Sequence, residues 1–290
     1  MARPAAPPLN APTTALWLTL ALLLGLLPTS AWADANNSAA APAAASAPAA
    51  TATMLTLRPQ AEAFSAQPVL AIVIDDLGYS PARDAQALAL PGPLTVAVLP
   101  DAPHATAIAR QASALGREVI LHQPMEPLIA PRKAEPGILR EHMTSADYAA
   151  TLSANLAAVP GSVGINNHRG SRLTAHSGAM DELMLQLLSR QLYFLDSRTT
   201  AATVAHDAAR EWGVPTVKRD VFLDHFRDPA SMDVQFRRAL RIARRQGHAV
   251  LIAHPHRSSL EYLEQALRTL PGDIRTARVS DLINDIDRQR

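Results

Sequence analysis

The stretch LAIVIDDLGYS, Leu70 to Ser80, decides how this chain is read. Five apolar residues, Leu70 to Ile74, run into two adjacent carboxylates, Asp75 and Asp76, and Gly78 follows two positions on. A short apolar run bounded by a turn signal reads as a buried strand. Two like charges at the end of such a strand repel each other and lose hydration. They are tolerated there when a cation and hydrogen-bond donors meet them.

Downstream, the chain alternates between two textures. After the run at 70–75, β-rich runs occur at 94–99 (LTVAVL), 118–122 (EVILH), 163–167 (VGINN), 192–196 (LYFLD), 216–222 (TVKRDVF) and 248–254 (HAVLIAH). Between most of them lie Ala- and Leu-rich segments with helical spacing. These span 106–115, 145–158 after Thr144, a segment opening on Ser177, one ending at Gly213, and one from Ser231 to Gly247. Ser177 is read as a helix cap, Ser231 as a helix start, and Gly213 and Gly247 as stops. Strand–helix alternation implies parallel strands joined by right-handed crossovers. Seven such units point to a barrel or a long open sheet, and the barrel is preferred. Met184 and Trp212 are read as core residues.

The upstream residues are of a different kind. Arg3 gives a weakly basic start, and Ala15 to Leu27 is an apolar run. PTSAWA follows, with Ala31-Trp32-Ala33 matching a small-x-small cleavage pattern. Residues 1–33 are therefore expected to be a secretory signal, leaving no stable membrane span once cleaved and placing the protein in the periplasm or cell envelope. Residues 34–67, rich in Ala, Pro, Ser and Thr, cannot bury enough apolar side chain to offset ordering. They are read as a flexible linker, and 68–290 as the folded domain. The chain carries no cysteine, which excludes disulfides, thiolate metal sites and cysteine nucleophiles. A net charge of +1 gives no reason to expect nucleic acid as a partner. Arg237-Arg238 and Arg244-Arg245 are read as a solvated helix face. A protein partner is left open.

In parallel β/α folds, sites gather at the C-terminal ends of the strands. The polar residues expected there are Asp75-Asp76, His122 with Glu126 beyond it, Asn166-Asn167-His168, Asp196, Arg219-Asp220 with Asp224, and His254. Aspartate and histidine suit zinc or a similar divalent metal. One aspartate of the pair can ligate while its neighbour takes a proton from water. Singly, each residue has a structural role open to it. Asp196 can cap SRTTAA, and Asp220 can pair with Arg219 or Arg227. It is the convergence of Asp75-Asp76, His122, His168 and His254 on one rim that points to chemistry.

The ordered motifs IVIDDLGYS, REVILHQPMEP, GINNHRGS, FLDSRTT, VPTVKRDVFLD and LIAHPH resemble those of the divergent polysaccharide deacetylase family, from about Pro68 to Leu282. That family is a branch of the polysaccharide deacetylase superfamily. The resemblance implies an irregular (β/α)7 barrel, a divalent metal (zinc first) and removal of acetyl groups from an N-acetylated carbohydrate. It also implies Asp75 as general base, Asp76 and His122 as metal ligands, and His254 as general acid. The superfamily's His-x-x-x-His motif is altered here: Glu126 stands at the second histidine position, and Pro124 lies between. His168 is therefore taken as the third ligand. Glu126, Asn167, Asp196, Arg219, Asp220 and Asp224 are kept as alternative ligands or as supports around the site. The Arg-Pro motif of the superfamily has no counterpart. Two other readings follow from these departures: an inactive barrel that binds or scaffolds in the envelope, and a metal hydrolase of another amide or an ester.

Overall fold

The protein is described by a computed structural model covering residues 67–130 and 135–289. The apolar run, the cleavage pattern and nearly all of the Ala/Pro-rich tract lie outside these residues. The elements follow in order: β1 (Val69–Leu77), α1 (Pro81–Leu88), β2 (Thr95–Val98), α2 (Ala105–Ala114), β3 (Glu118–Met125), α3 (Ser145–Ala158) and β4 (Gly164–Arg169). A short 3₁₀ turn (Leu173–Ala175) leads into α4 (Ser177–Ser189), β5 (Tyr193–Asp196), α5 (Ala205–Glu211), β6 (Thr216–Lys218) and β7 (Val221–Phe222). The chain ends with α6 (Pro229–Gln246), β8 (His248–Ala253), α7 (Arg257–Arg268), β9 (Arg275–Ala277) and α8 (Val279–Arg288).

The sheet is parallel and runs β6-β5-β4-β3-β2-β1-β8-β7, with β9 on the first residues of β1. Its two edge strands, β6 and β7, are separated in the chain only by Arg219 and Asp220. One segment therefore serves both edges, and the sheet closes on itself as a (β/α)7 barrel whose sixth strand is split. The hand-over is visible in two bonds. Arg219 N–H donates to the Asp196 carbonyl of β5 at 2.9 Å, and Asp220 N–H donates to the Val250 carbonyl of β8 at 2.9 Å. The Asp220 carboxylate then accepts from Val250 N–H at 2.8 Å and from the Gln246 amide at 3.4 Å. Asp220 thus pairs with neither Arg219 nor Arg227, contrary to the sequence expectation. Its carboxylate takes the place of a missing strand carbonyl, because the split strand leaves a β8 donor that must be satisfied.

Strand residues alternate between two apolar layers, as period-two side-chain direction requires. Val69, Ala71 and Val73 of β1 join Ile120, Leu195, Val217, Val250 and Ile252 in the barrel interior. Leu70, Ile72 and Ile74 face the helices, among Leu121, Ile165, Leu183 and Leu251. Val279, Leu282 and Ile283 of α8 complete the interior cluster. The Glu118 carboxylate, at the start of β3, receives Thr95 Oγ1 at 2.8 Å, Tyr193 OH at 2.9 Å and Ser280 N–H at 3.2 Å.

Several local expectations are corrected. Helix α4 is capped by His176, whose Nδ1 accepts from Ala179 N–H at 3.1 Å, not by Ser177. Helix α6 begins at Pro229 with Asp228 as cap, and Ser231 supplies the N–H that the cap receives. Helices α1, α7 and α8 and strand β9 had no sequence-based expectation. Met184 is buried, but Trp212 is 37% exposed and donates its indole N–H to Asp181.

Candidate metal centre at the C-terminal rim

Parity carries five side chains into the barrel mouth. Asp75 continues the interior row Val69-Ala71-Val73, His122 continues from Ile120, and His254 continues from Val250 and Ile252. On β4, Ile165 faces the helices, so Asn166 and His168 face inward. Asp76 should face outward by the same rule. It does not, because β1 carries one extra residue between Ile74 and Leu77 relative to β2. Asp76 takes a left-handed conformation there (φ 59°). Such a bulge re-aims a side chain. Gly78 completes the turn at φ 112°, where a Cβ would lie 2.7 Å from that of Ala102. The two acids thus enter one site although they are sequence neighbours.

Three atoms converge. Asp76 Oδ1 lies 3.2 Å from His122 Nε2 and 3.2 Å from His168 Nδ1, and the two ring nitrogens are 3.1 Å apart. Asp76, His122 and His168 form the group able to hold a metal ion among the described residues. The triangle matches one face of a tetrahedron with ligand distances of about 2.0 Å, those of zinc with nitrogen and oxygen donors. Asp76 Oδ1 is buried, and no hydrogen bond satisfies it in this geometry although two ring nitrogens face it at 3.2 Å. An orphaned carboxylate oxygen facing two imidazole nitrogens is what a cation would satisfy, so these residues fit a divalent metal.

The tautomer of His122 follows from its neighbours. Asn166 Nδ2 donates to Asp75 Oδ1 at 2.8 Å and to Ser197 Oγ at 3.2 Å. A carboxylate only accepts, so the amide nitrogen of Asn166 must face Asp75 and its oxygen must face His122. That oxygen lies 2.7 Å from His122 Nδ1. Neutral His122 therefore carries its proton on Nδ1 and leaves Nε2 bare for a metal.

The charges are strongly coupled. Burial disfavours ionised Asp76, but the close approach of His122 and His168 and their charges outweigh it, holding the carboxyl far below its usual range. Burial likewise opposes the His122 cation, yet Asp75 and Asp76 raise it to about 9 without metal. His254 stands opposite, its Nε2 3.9 Å from Asp76 Oδ2. Its Nδ1 lies 3.1 Å from Asp224 Oδ1, and its backbone N–H donates to Asp224 Oδ2 at 2.8 Å. Ser259 Oγ adds a third bond to Asp224 at 2.7 Å. Burial resists ionised Asp224, but these donors prevail and its acidity is strengthened. His254, though burial opposes its charge, is raised by Asp224, Asp75 and Asp76.

The remaining candidates fall into four groups. Asp224 supports His254 directly. Asn167 and Asp196 hold the rim backbone: Asn167 Oδ1 accepts from Ser197 N–H at 2.8 Å, and Asp196 accepts from Arg198 N–H at 2.8 Å and Thr203 Oγ1 at 3.0 Å. Arg219 donates to the carbonyls of Ser197 and Arg198, at 2.6 and 2.8 Å, and lines the same cavity as the triangle. Glu126 and Asp220 stand apart from the cluster. Glu126 accepts from Glu141 N–H at 3.0 Å, its backbone holding Arg172 and Leu173, because Pro124 keeps this segment extended and denies it a helical i, i+4 pairing. Glu135 was not anticipated. It binds Arg169 Nε at 2.9 Å and lies 3.9 Å from His168 Nε2. Only the fold brings this loop acid to β4.

A parallel (β/α)7 barrel with an Asp-His-His triangle and two further titratable groups at its C-terminal mouth defines the class. Residues 72–283 match the divergent polysaccharide deacetylase family, and the chain belongs to that family. It is 44% identical over 216 residues to the uncharacterized protein YibQ of Escherichia coli K12, spanning 74% of this chain and 67% of that one. An uncharacterized protein of Haemophilus influenzae is 39% identical over 217 residues, spanning 75% of this chain and 77% of the relative. The crystal structure of an uncharacterized protein, ATU2773, from Agrobacterium tumefaciens C58 superposes with a TM-score of 0.71 at 26% identity. It covers 74% of this chain and 89% of that one. Among the described residues no helix is long and apolar enough to cross a membrane.

Proposed function

We propose that this protein is a metal-dependent hydrolase of the cell envelope that removes acetyl groups from an N-acetylated polysaccharide, with zinc held by Asp76, His122 and His168. One observation carries the reading: the near-equilateral triangle of Asp76 Oδ1, His122 Nε2 and His168 Nδ1, flanked by Asp75 and His254. Family membership supports the carbohydrate substrate, and the apolar run with Ala31-Trp32-Ala33 supports export.

A divalent cation in the triangle supplies Lewis-acid polarisation of the acyl oxygen and acidifies a water. The side chains do the rest. Asp75 has one oxygen bound by Asn166, and its other lies 3.8 Å from His122 Nε2, so it can accept the proton of the attacking water. Asp224 favours the cationic form of His254, with Nδ1–H on that carboxylate; in that form Nε2–H is left to protonate the departing amine. Asn166 keeps His122 in its ligating tautomer. One acid beside the triangle and one base within reach of it give the two proton transfers that amide hydrolysis needs.

The test pairs metal analysis of the purified domain with an acetate-release screen on N-acetylated glycans and cell-wall fragments. Stoichiometric metal with acetate release supports the proposal. Metal without acetate release points to another amide or ester. No uptake of zinc, manganese, nickel or cobalt overturns the enzymatic reading in favour of a binding protein.

A further inference from the structure

The cavity at the triangle, about 470 Å³, does not end at the barrel mouth. A second cavity of about 570 Å³ adjoins it, and Arg198, Arg219, Phe222 and His225 line both. Each lies within the size range of small-molecule sites. Together they form a cleft running from the triangle to α6, where Arg238 and the exposed Phe226 form part of the far wall.

The charges along this cleft do not cancel. At the triangle, Asp75 and Asp76 offset one divalent cation, and Arg169 is neutralised by Glu135 at 2.9 Å. Arg198, Arg219 and Arg238 have no carboxylate ion-pair partner among the described residues. Arg219 is half-buried, spends two of its N–H groups on the carbonyls of Ser197 and Arg198, and stands 5.4 Å over the Phe222 ring. Burial weakens its charge and Arg198 weakens it further, with Asp196, Asp75 and Asp220 opposing. The nearest acid of the second cavity, Asp220, is occupied by Val250 N–H and Gln246. A partly desolvated guanidinium without a counter-ion is costly unless a ligand supplies one.

We infer that the cleft selects an acidic glycan: the substrate extends from the triangle past Phe222, and an anionic substituent on a neighbouring sugar, a carboxylate or phosphate, is bound by Arg198 and Arg219 and steered by Arg238. Guanidinium groups suit both anions through bidentate bonds. Phe222 and Phe226 offer apolar faces to the sugar rings. The inference rests on the glycan reading above, so its test measures binding rather than turnover.

Zinc-loaded protein is titrated calorimetrically with three probes: a neutral N-acetylglucosamine hexamer, a hyaluronan hexasaccharide carrying uronate carboxylates, and an N-acetylglucosamine oligomer bearing a phosphate. The expected result is that at least one acidic probe binds about tenfold tighter than the neutral one, an advantage lost at about 0.5 M salt. The probe that gains identifies the anion. In Arg198→Gln the advantage falls to less than about threefold while neutral binding is unchanged. Arg198 is exposed, so this variant folds; Arg238→Gln serves as a second. Equal binding of neutral and acidic probes, or a preference that survives both substitutions, overturns the inference. Acidic preference without acetate release on any glycan would sink the glycan-deacetylase reading while leaving the anion site standing.

Discussion

His122 Nδ1 lies 2.7 Å from Asn166 Oδ1, and the same amide donates to Asp75 at 2.8 Å. A single asparagine therefore links the proposed base to a proposed ligand and sets which nitrogen of His122 is bare. Replacing Asn166 by Leu removes the acceptor for Nδ1–H and the donor to Asp75. Zinc affinity is expected to fall roughly 10–100-fold, the usual effect of losing a partner behind a ligand. Competition with a chromogenic chelator measures it, and an unchanged affinity contradicts the tautomer assignment.

The ligand set separates cleanly by substitution. Asp76→Ala, His122→Ala and His168→Ala should each lose metal on dialysis, since coordination supplies most of the binding free energy. Asp75→Asn should keep metal and lose turnover by at least about 10²-fold. Glu126→Gln should keep both. Retention of full metal by His168→Ala with loss in Glu126→Gln would move the third ligand to Glu126.

The pH dependence has a definite sign. Without metal, His122 titrates near 9 against about 6.5 in an unfolded chain. A raised folded value stabilises fully below the unfolded value and is lost as pH rises through the folded one. The metal-free domain should therefore lose this contribution between about pH 6.5 and 9, seen as a falling thermal midpoint. Zinc must displace the same proton, so uptake at pH 7 should release it and uptake above about pH 9 should not. Calorimetry in buffers of different ionisation enthalpy counts it; a count that does not change with pH excludes His122 as the displaced group.

Barrel closure depends on Asp220. Asp220→Ala leaves buried Val250 N–H without its 2.8 Å acceptor. The expected cost is roughly 1–3 kcal/mol in denaturant unfolding. Asp220→Asn, which keeps an amide oxygen there, should cost less. Metal content should be unaffected in both; loss of metal without loss of stability would assign Asp220 to the site after all.

Export makes its own prediction. Mass spectrometry of protein from its native host should find a mature N-terminus near Asp34. Recovery of peptides spanning Leu16 to Leu27 would show the segment to be retained as an anchor.

Much of this was legible in the chain itself. Strand identity depends on local apolar runs, and these placed the seven barrel strands, including TVKRDVF as one unit, but not β9. Strand-end polar residues are also local, so the sequence alone gathers Asp75, Asp76, His122, His168 and His254 on one rim. Period-two alternation even predicts inward direction for Asp75, His122 and His254 once one strand's facing is known. Short or weakly patterned elements were not legible: α1 buries only Asp84, Ala87 and Leu88, so its sequence carries little helical period.

What only the tertiary structure decided concerns partners distant in sequence. The bulge that turns Asp76 inward exists because β1 must pair with β2 on a twisted, closing sheet. The split of one strand between β5 and β8, and the use of Asp220 as a stand-in for a carbonyl, follow from closing a seven-stranded ring. The turn of Glu126 toward Glu141 N–H, the arrival of Glu135 at His168, and the pairing of Asp224 with His254 depend on loop paths that no periodicity encodes. The sequence determined which groups could do chemistry and at which strand ends they stand, because residue type and apolar spacing are local properties. Their distances and charge states, and the cleft of unpaired arginines beside them, were decided by packing, because those depend on which surfaces the closed barrel brings together and which it shields from water.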